Sequence, residues 1–83
     1  MESMRLCDGS AGKKYIIRTV TAEEAITRRL EALGLVEGTE VRILMKKQDG
    51  SLIAAFQGTR LALGKKLAGA IAAEEAGHEG RGW

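Results

Sequence analysis

The sequence contains few of the residue types that catalytic or disulfide-bonded small proteins use. Among its 83 residues are one cysteine, one histidine, no proline, and one each of Phe, Trp and Tyr. One cysteine excludes a disulfide framework and a multi-cysteine zinc site. One histidine leaves too few groups for a catalytic triad or a closed transition-metal site. We therefore predict that the chain is not an enzyme, holds no metal or other cofactor, and acts by binding a partner.

The chain also lacks a long apolar run. No stretch approaches the ~18 consecutive apolar residues that span a bilayer. Residues 1–8 do not show the basic and then apolar pattern of a secretory signal. Together with the single cysteine, these features predict a cytoplasmic protein.

The composition is that of a small folded domain. Hydrophobic residues make up 45% and charged residues 29%, which is typical of globular proteins and not of disordered ones. A chain of 83 residues has room for one core. We predict a single domain over residues 1–76. Residues 77–83 (Gly-His-Glu-Gly-Arg-Gly-Trp) show no periodicity and are predicted to be a disordered tail.

Apolar and β-branched residues recur in short segments that predict strands. The segments are residues 4–7, 15–20, 40–47, 52–57 and 60–63. In the third segment Val41, Ile43 and Met45 are predicted to face the core, while the residues between and after them (Arg42, Leu44 and Lys46) point outward. Residues 70–74 are alanine-rich and fit either a helix or a closing strand; we favour the strand.

One longer helix is predicted between the early strands. Thr21 and Glu24 have the spacing of a capping box, and Gly34 is placed to end the helix in a left-handed conformation. The apolar side chains at helical spacing are Ala22, Ala25, Ile26, Leu30 and Leu33. A second, single helical turn is predicted over residues 64–69.

Glycines mark the turns of a strand meander. Asp49 and Gly50 predict a type I′ hairpin turn, and Gly58 and Thr59 predict a second two-residue turn. Short strands, tight turns and one helix favour a mostly β fold, because a closed sheet protects the edges of so small a domain. The prediction is a small SH3-like antiparallel barrel of five to six strands. It has one α-helix between early strands and a short helical turn before the last strand.

Three residues are candidate partner-binding residues. Arg28 is placed to pair with Glu24 on the helix, and Arg29 lies beside the apolar side chains of that helix. The Arg29 stem could simply pack along the helix, or its head group could contact a partner. Leu44 is an outward-facing apolar residue on the central strand. We predict that Arg28, Arg29 and Leu44 take part in binding a protein.

Nucleic-acid binding is the alternative that the charged residues raise. Three lysine pairs, at residues 13–14, 46–47 and 65–66, would form a basic stripe if the fold brought them together. A net charge of only +2 and few aromatic residues disfavour that reading. A phosphate-binding loop is excluded because the glycine-rich segment at residues 58–66 has the wrong spacing and no hydroxyl after its lysine.

Residues 29–41 have the sequence Arg-Leu-Glu-Ala-Leu-Gly-Leu-Val-Glu-Gly-Thr-Glu-Val. This segment resembles the signature segment of the ferrous iron transport protein A (FeoA) family. The later part of the chain is similar to the second half of that family. It has Arg-Leu-Ala-Leu at residues 60–63, then a basic turn, and then Ala70-Ile71 before an acidic end. The resemblance covers residues 4–75. Glu37 is a departure, since the family commonly has proline there.

The resemblance implies an SH3-like barrel and a role in iron uptake. The implied role is a cytosolic accessory protein that contacts a membrane ferrous iron transporter with its own GTP-binding domain (FeoB type). Any contact of the chain with the membrane would then be peripheral, at the inner face. No catalytic residue is carried over. Similar domains form the C-terminal modules of DtxR-type iron-dependent repressors, but Met1 lies close to the domain start, which favours a free-standing protein. Self-association stays open.

Overall fold

The computed structural model describes residues 4–76, and within them the chain forms six strands and two helices. The strands are β1 (Met4–Arg5), β2 (Lys14–Val20), β3 (Glu40–Lys46), β4 (Leu52–Phe56), β5 (Thr59–Leu63) and β6 (Ile71–Glu75). The helices are α1 (Glu24–Leu33) and α2 (Lys65–Gly69), and a 3-10 turn spans Leu6–Asp8. The predicted disordered tail lies outside the described residues.

All strands join one antiparallel sheet in the order β1-β6-β2-β3-β4-β5. The sheet has the small SH3-like barrel architecture, which confirms the predicted fold class. The last strand, β6, lies between β1 and β2 and therefore ties the two ends of the chain into the same sheet. This confirms a closing strand in the alanine-rich segment, at Ile71–Glu75, while Ala70 forms the C-cap of α2.

One face of the sheet encloses the core. The fully buried side chains alternate along the strands and meet in a single cluster with Leu30 of α1 and Leu35 after it. The largest are Tyr15, Leu6, Ile17, Leu35, Ile43, Leu52, Leu63, Ile71 and Val41. The first predicted strand is shorter than expected, because after Arg5 the chain turns to bury Leu6.

Two irregularities change which residues face inward. The pairing of β3 with β4 shifts between Ile43 and Met45. Met45 is therefore 51% exposed, although simple alternation predicted it in the core. A similar shift between Ile17 and Thr19 of β2 leaves Thr19 exposed.

The tight turns differ from their predicted geometry. Gly50 has φ +95° but Asp49 does not have a positive φ, so the predicted type I′ turn there is wrong. The connection is a longer loop closed by the Lys47 amide, which donates to the Ser51 carbonyl at 2.8 Å. The two-residue turn with positive φ at both positions is Gln57 (+52°) and Gly58 (+76°), one residue earlier than predicted.

Helix α1 ends as predicted but begins differently. Gly34 has φ +99°, and its amide donates to the carbonyls at the end of the helix. The predicted capping box is wrong, since Glu23 occupies the N-cap position and no side chain caps the helix. The Thr21 amide donates instead to the Ala70 carbonyl at 2.8 Å, which ties the chain before α1 to the residue before β6.

Candidate functional site

The face of the sheet opposite the core, which we call the outer face, carries a row of positive charges. Lys14 of β2 is paired with Arg42 of β3, Arg42 with Ala55 of β4, and Ala55 with Arg60 of β5. Because neighbouring strands lie about 4.8 Å apart, the row crosses the sheet in about 14 Å. We call Lys14, Arg42 and Arg60 the basic row.

An apolar patch lies beside the basic row on the same face. Met45, Ile53 and Ala62 are paired across β3, β4 and β5, and Leu44 lies in the irregular part of β3. Leu44 is 39% exposed and Met45 is 51% exposed. The shift in strand pairing leaves two large apolar side chains in solvent next to each other. We call Leu44, Met45, Ile53 and Ala62 the apolar patch.

Leu44 and the basic row line the same open depression. It has a volume of about 860 Å³ and is also lined by backbone and side chains of Glu37, Gly38, Glu40 and the Gln57–Gly58 turn. The depression is wide and shallow, with no enclosed chamber. Its shape suits a protein surface or an extended segment better than a small molecule, which needs most of its surface buried.

The charges on the outer face are balanced at one end and unbalanced at the other. Around β2, carboxylates pair with the cations: Lys13 with Glu75 at 3.4 Å, Lys14 with Glu40 of β3 at 3.5 Å, and Arg18 with Glu74 at 2.9 Å. Within residues 4–76, neither Arg42 nor Arg60 has a carboxylate within 4.0 Å. Arg42 of β3 and Arg60 of β5 are therefore the members of the basic row whose charge no nearby carboxylate balances in the described residues.

The Arg18–Glu74 pair shifts both titrations. The hydrogen bond from the Arg18 guanidinium, together with its charge, holds the pKa of the Glu74 carboxyl below its ordinary value. The same hydrogen bond and the negative charge of Glu74 raise the pKa of Arg18. The pair links β2 to β6, whose strands are neighbours in the sheet.

This pair predicts a small acid dependence of stability. Because the pKa of Glu74 is depressed in the folded protein, the contribution of the pair is present above the ordinary carboxyl pKa and is lost as the pH falls through the folded-state value. We expect Glu74→Gln to lower the melting temperature slightly at about pH 7, and the difference from the parent to disappear as the pH falls below the folded-state pKa of Glu74, which lies under the ordinary carboxyl value. Thermal unfolding across this range measures the effect. Arg18→Gln should abolish the same pH dependence, and an equal gap between parent and variant at every pH would contradict the assignment.

The structure places the predicted partner-binding residues on two separate elements. Leu44 lines the outer-face depression. Arg28 and Arg29 are exposed on α1 and do not line that depression. Arg28 donates to Glu24 at 2.6 Å, as its spacing predicted. The structure therefore does not bring Leu44 together with the two arginines in one depression.

Sequence reasoning missed Arg42, Arg60 and Met45 as members of one surface. Arg42 was recognisable as an outward residue of β3, because Val41 and Ile43 flank it. Its proximity to Arg60 depends on the β3–β4–β5 register, which no local pattern encodes. Met45 was assigned to the core because the irregular pairing that exposes it has no signal in the sequence.

The other candidate residues from the sequence either make contacts within the fold or lie outside the described residues. Lys46 donates to the Gly9 carbonyl at 2.8 Å. Cys7 is partly buried against the core. Among residues 4–76, no group of three or more His, Cys, Asp and Glu side chains is arranged to hold a metal ion, and the only histidine, His78, is outside that range.

No helix in the described part of the chain is long and apolar enough to cross a membrane.

Comparison with models of protein families shows the family of this chain. The model of the FeoA domain matches residues 4–75, which include every strand and helix of the fold. The chain belongs to the FeoA domain family. The match confirms the resemblance seen in residues 29–41. A comparison with curated proteins found no matching relative for this FeoA-domain chain.

Solved structures similar to this FeoA-domain chain include proteins that the match covers for most of their length and a longer one that it covers only in part. The FeoA protein of Chlorobium tepidum is 33% identical, with a TM-score of 0.82 over 96% of this chain and 80% of that one. An iron uptake regulatory protein (FeoA) is 25% identical, with a TM-score of 0.78 over 90% of this chain and 99% of that one. A manganese-dependent transcriptional repressor is 19% identical, with a TM-score of 0.80 over 88% of this chain but only 41% of the repressor. The similarity to the repressor shows only that the two proteins share a fold.

Proposed function

We propose that this chain is an accessory protein of ferrous iron uptake. In this proposal it works in the cytoplasm and contacts the cytoplasmic part of a membrane ferrous iron transporter that carries a GTP-binding domain. Its membership of the FeoA domain family supports the role, as does its similarity to an iron uptake regulatory protein over nearly the whole of both chains. The contact itself regulates or assembles the transporter, with no reaction catalysed by this chain.

The outer face is the observation that carries the proposal. Leu44 and Met45 expose apolar surface on the same face as Arg42 and Arg60, whose charges have no carboxylate partner within residues 4–76. Methionine and arginine are enriched in protein–protein interfaces, where an apolar centre is surrounded by polar groups. A face of this composition supports the binding of another protein.

Nucleic-acid binding is less well supported by the same face. Single-stranded nucleic acids need aromatic side chains for stacking, and the residues of the basic row and the apolar patch include none. Lys13 and Lys14 are paired with Glu75 and Glu40, so they are less available to phosphates. Lys46 also donates to the Gly9 carbonyl at 2.8 Å, so Lys13, Lys14 and Lys46 all make contacts within the fold.

The test is co-purification of the tagged chain with the detergent-solubilised full-length transporter in its GTP-bound, GDP-bound and nucleotide-free states. We expect the parent chain to retain the transporter in at least one state. Leu44→Asp and Arg42→Glu should each reduce the retained transporter about tenfold, because both put a negative charge on the central part of the interface.

Leu33→Asp is the matched control for Leu44→Asp. Leu33 is 45% exposed, close to the 39% of Leu44, but it lies at the end of α1 and not on the outer face. We expect this variant to bind like the parent. A double variant, Arg28→Glu with Arg29→Glu, tests the other candidate residues. If Leu33→Asp and this double variant lost binding while Leu44→Asp bound like the parent, the contact would lie on α1 and not on the outer face. Failure of the parent chain to co-purify in every nucleotide state would contradict the proposed function.

A further inference from the structure

Strand β5 forms an edge of the sheet. In the strand order it has β4 on one side and no strand on the other. Thr59, Arg60 and Ala62 are exposed and Leu61 is half-buried, so little of the described structure covers this edge. An edge of this kind presents backbone groups that can pair with another extended chain.

The hairpin geometry identifies which backbone groups are free. The two-residue Gln57–Gly58 turn makes Phe56 and Thr59 the first hydrogen-bonded pair of the β4–β5 ladder. Hydrogen-bonded and non-hydrogen-bonded pairs alternate in an antiparallel ladder, so the amides and carbonyls of Arg60 and Ala62 point away from β4. Within residues 4–76, neither residue has a backbone hydrogen bond outside its own hairpin.

The outer face specifies the side chains that an added strand would need. A residue paired with Arg60 would extend the basic row, and a residue paired with Ala62 would extend the apolar patch. Both would project from the outer face, two positions apart, since alternate residues of a strand share a face. An acidic side chain suits the first position, because Arg60 and Arg42 have no carboxylate partner in the described residues. An apolar side chain suits the second.

We propose that β5 binds an extended acidic segment of a protein partner, which adds a strand to the sheet at Arg60 and Ala62. The segment carries a carboxylate opposite Arg60 and an apolar side chain two residues away, opposite Ala62. Main-chain hydrogen bonds hold the segment, and these two side chains select it. The inference rests on the proposed function only in assigning the segment to the transporter.

Two other occupants fit the edge less well. A nucleic acid has no alternating row of backbone donors and acceptors to match Arg60 and Ala62. A second copy of this chain would bring its own positively charged β5 and lacks an acidic residue there. An acidic peptide satisfies both the hydrogen-bonding edge and the charge.

The binding test uses the full chain and a fluorescein-labelled synthetic peptide of about nine residues. The peptide alternates valine and threonine, with one glutamate and one isoleucine two positions apart on the same face. Fluorescence anisotropy measures the affinity, and amide chemical shifts locate the contact. We expect the largest shifts at Arg60 and Ala62 and none on α1.

Three peptide controls separate the elements of recognition. Lysine in place of glutamate should weaken binding about tenfold or more, because it faces Arg60. N-methylation of the two peptide amides that face β5 should abolish binding, since they are its donors. N-methylation of the alternate amides, which face away, should leave the affinity within about twofold.

Two protein variants test the edge itself. Arg60→Glu should weaken binding of the glutamate peptide about tenfold and favour the lysine peptide. Ala62→Pro removes a free amide without breaking the β4–β5 ladder, because proline is tolerated on an edge strand where its nitrogen faces outward. It should weaken binding of both peptides, and its circular dichroism should match the parent. Lys66→Glu, on α2, is the charge control and should bind like the parent.

Several results would overturn the inference. One is equal affinity for the glutamate and lysine peptides, and another is no binding of either peptide at millimolar concentration. A third is a change of the β5 amide chemical shifts with protein concentration in the absence of peptide, since this would show that a second copy of the chain occupies the edge. Salt-sensitive binding of a single-stranded oligonucleotide at the same amides would also overturn it. If Arg60→Glu and Ala62→Pro still retain the full-length transporter, the edge-strand inference fails while the proposed function stands. If the peptide binds and the transporter does not, the proposed function fails alone.

Discussion

Replacing Ile43 with alanine is expected to lower the free energy of unfolding by about 2–5 kcal/mol. Ile43 is fully buried near the middle of β3, where it is paired with Ala54 and its terminal carbon packs near Gly9. Deleting its side-chain carbons leaves a cavity that a small core fills only partly. A domain of this size has roughly 5–15 kcal/mol of total stability, so the loss is a large share of it. Urea denaturation followed by circular dichroism measures the change.

Met45→Ala is the matched control for this prediction. Met45 lies two residues along the same strand, and simple alternation would place it in the same core as Ile43. It is instead 51% exposed, because the β3–β4 pairing shifts between the two residues. We expect Met45→Ala to change the free energy of unfolding by no more than about 0.5 kcal/mol. Equal losses in the two variants would show that the alternation continues through β3 without the irregularity.

Replacing Gly9 with alanine is the second change with a large expected effect, about 1–3 kcal/mol of lost stability. Gly9 has φ −75°, which alanine readily adopts, so the cost comes from space and not from backbone strain. A Cβ atom there would lie 2.8 Å from the Ile43 side chain and 2.8 Å from the Tyr15 ring. The ring cannot move freely, since its hydroxyl accepts a hydrogen bond from the Ser10 amide at 2.7 Å.

Gly69→Ala provides the comparison for Gly9→Ala. Gly69 closes α2, and its nearest contact for an added Cβ is the Cys7 sulfur at 3.8 Å, an ordinary van der Waals distance. Alanine in place of a helical glycine is expected to leave stability unchanged or raise it by up to about 1 kcal/mol. Urea or thermal unfolding of the two variants side by side checks both values. A Gly9→Ala protein as stable as the parent would contradict the packing of Tyr15 and Ile43 over residue 9.

Most strands were predictable because their signals are local. Residues 15–20 and 40–47 carry β-branched residues and alternation over enough length to outweigh other preferences, and β2 and β3 lie within one residue of the predicted bounds. Gly34 at the end of α1 was predictable for the same reason, since only the adjacent turn of helix is involved. The start of α1 was not predictable in this way. The Thr21 amide is bonded to Ala70, nearly fifty residues away, so a distant contact replaced the local cap.

The candidate site was only partly predictable. Leu44 was recognisable as outward-facing because its neighbours alternate around it, and it lines the outer-face depression. The arginines beside it were not recognisable as one surface. Arg42 and Arg60 are 18 positions apart in the sequence and are brought near each other only through Ala55 between them. A turn one residue longer would have moved Arg60 to the opposite face of the sheet.

The scarcity of cysteine, histidine and aromatic residues already directed attention to binding and away from catalysis. Local sequence patterns were enough for most strands, for the glycine that ends α1, and for the family to which the chain belongs, because these depend on neighbouring residues or on a contiguous motif. The exposure of Met45, the shared row of Arg42 and Arg60, and the free backbone groups on the β5 edge became visible only in the folded chain. Cross-strand register follows from how the whole core packs, and residues far apart in the chain set it together.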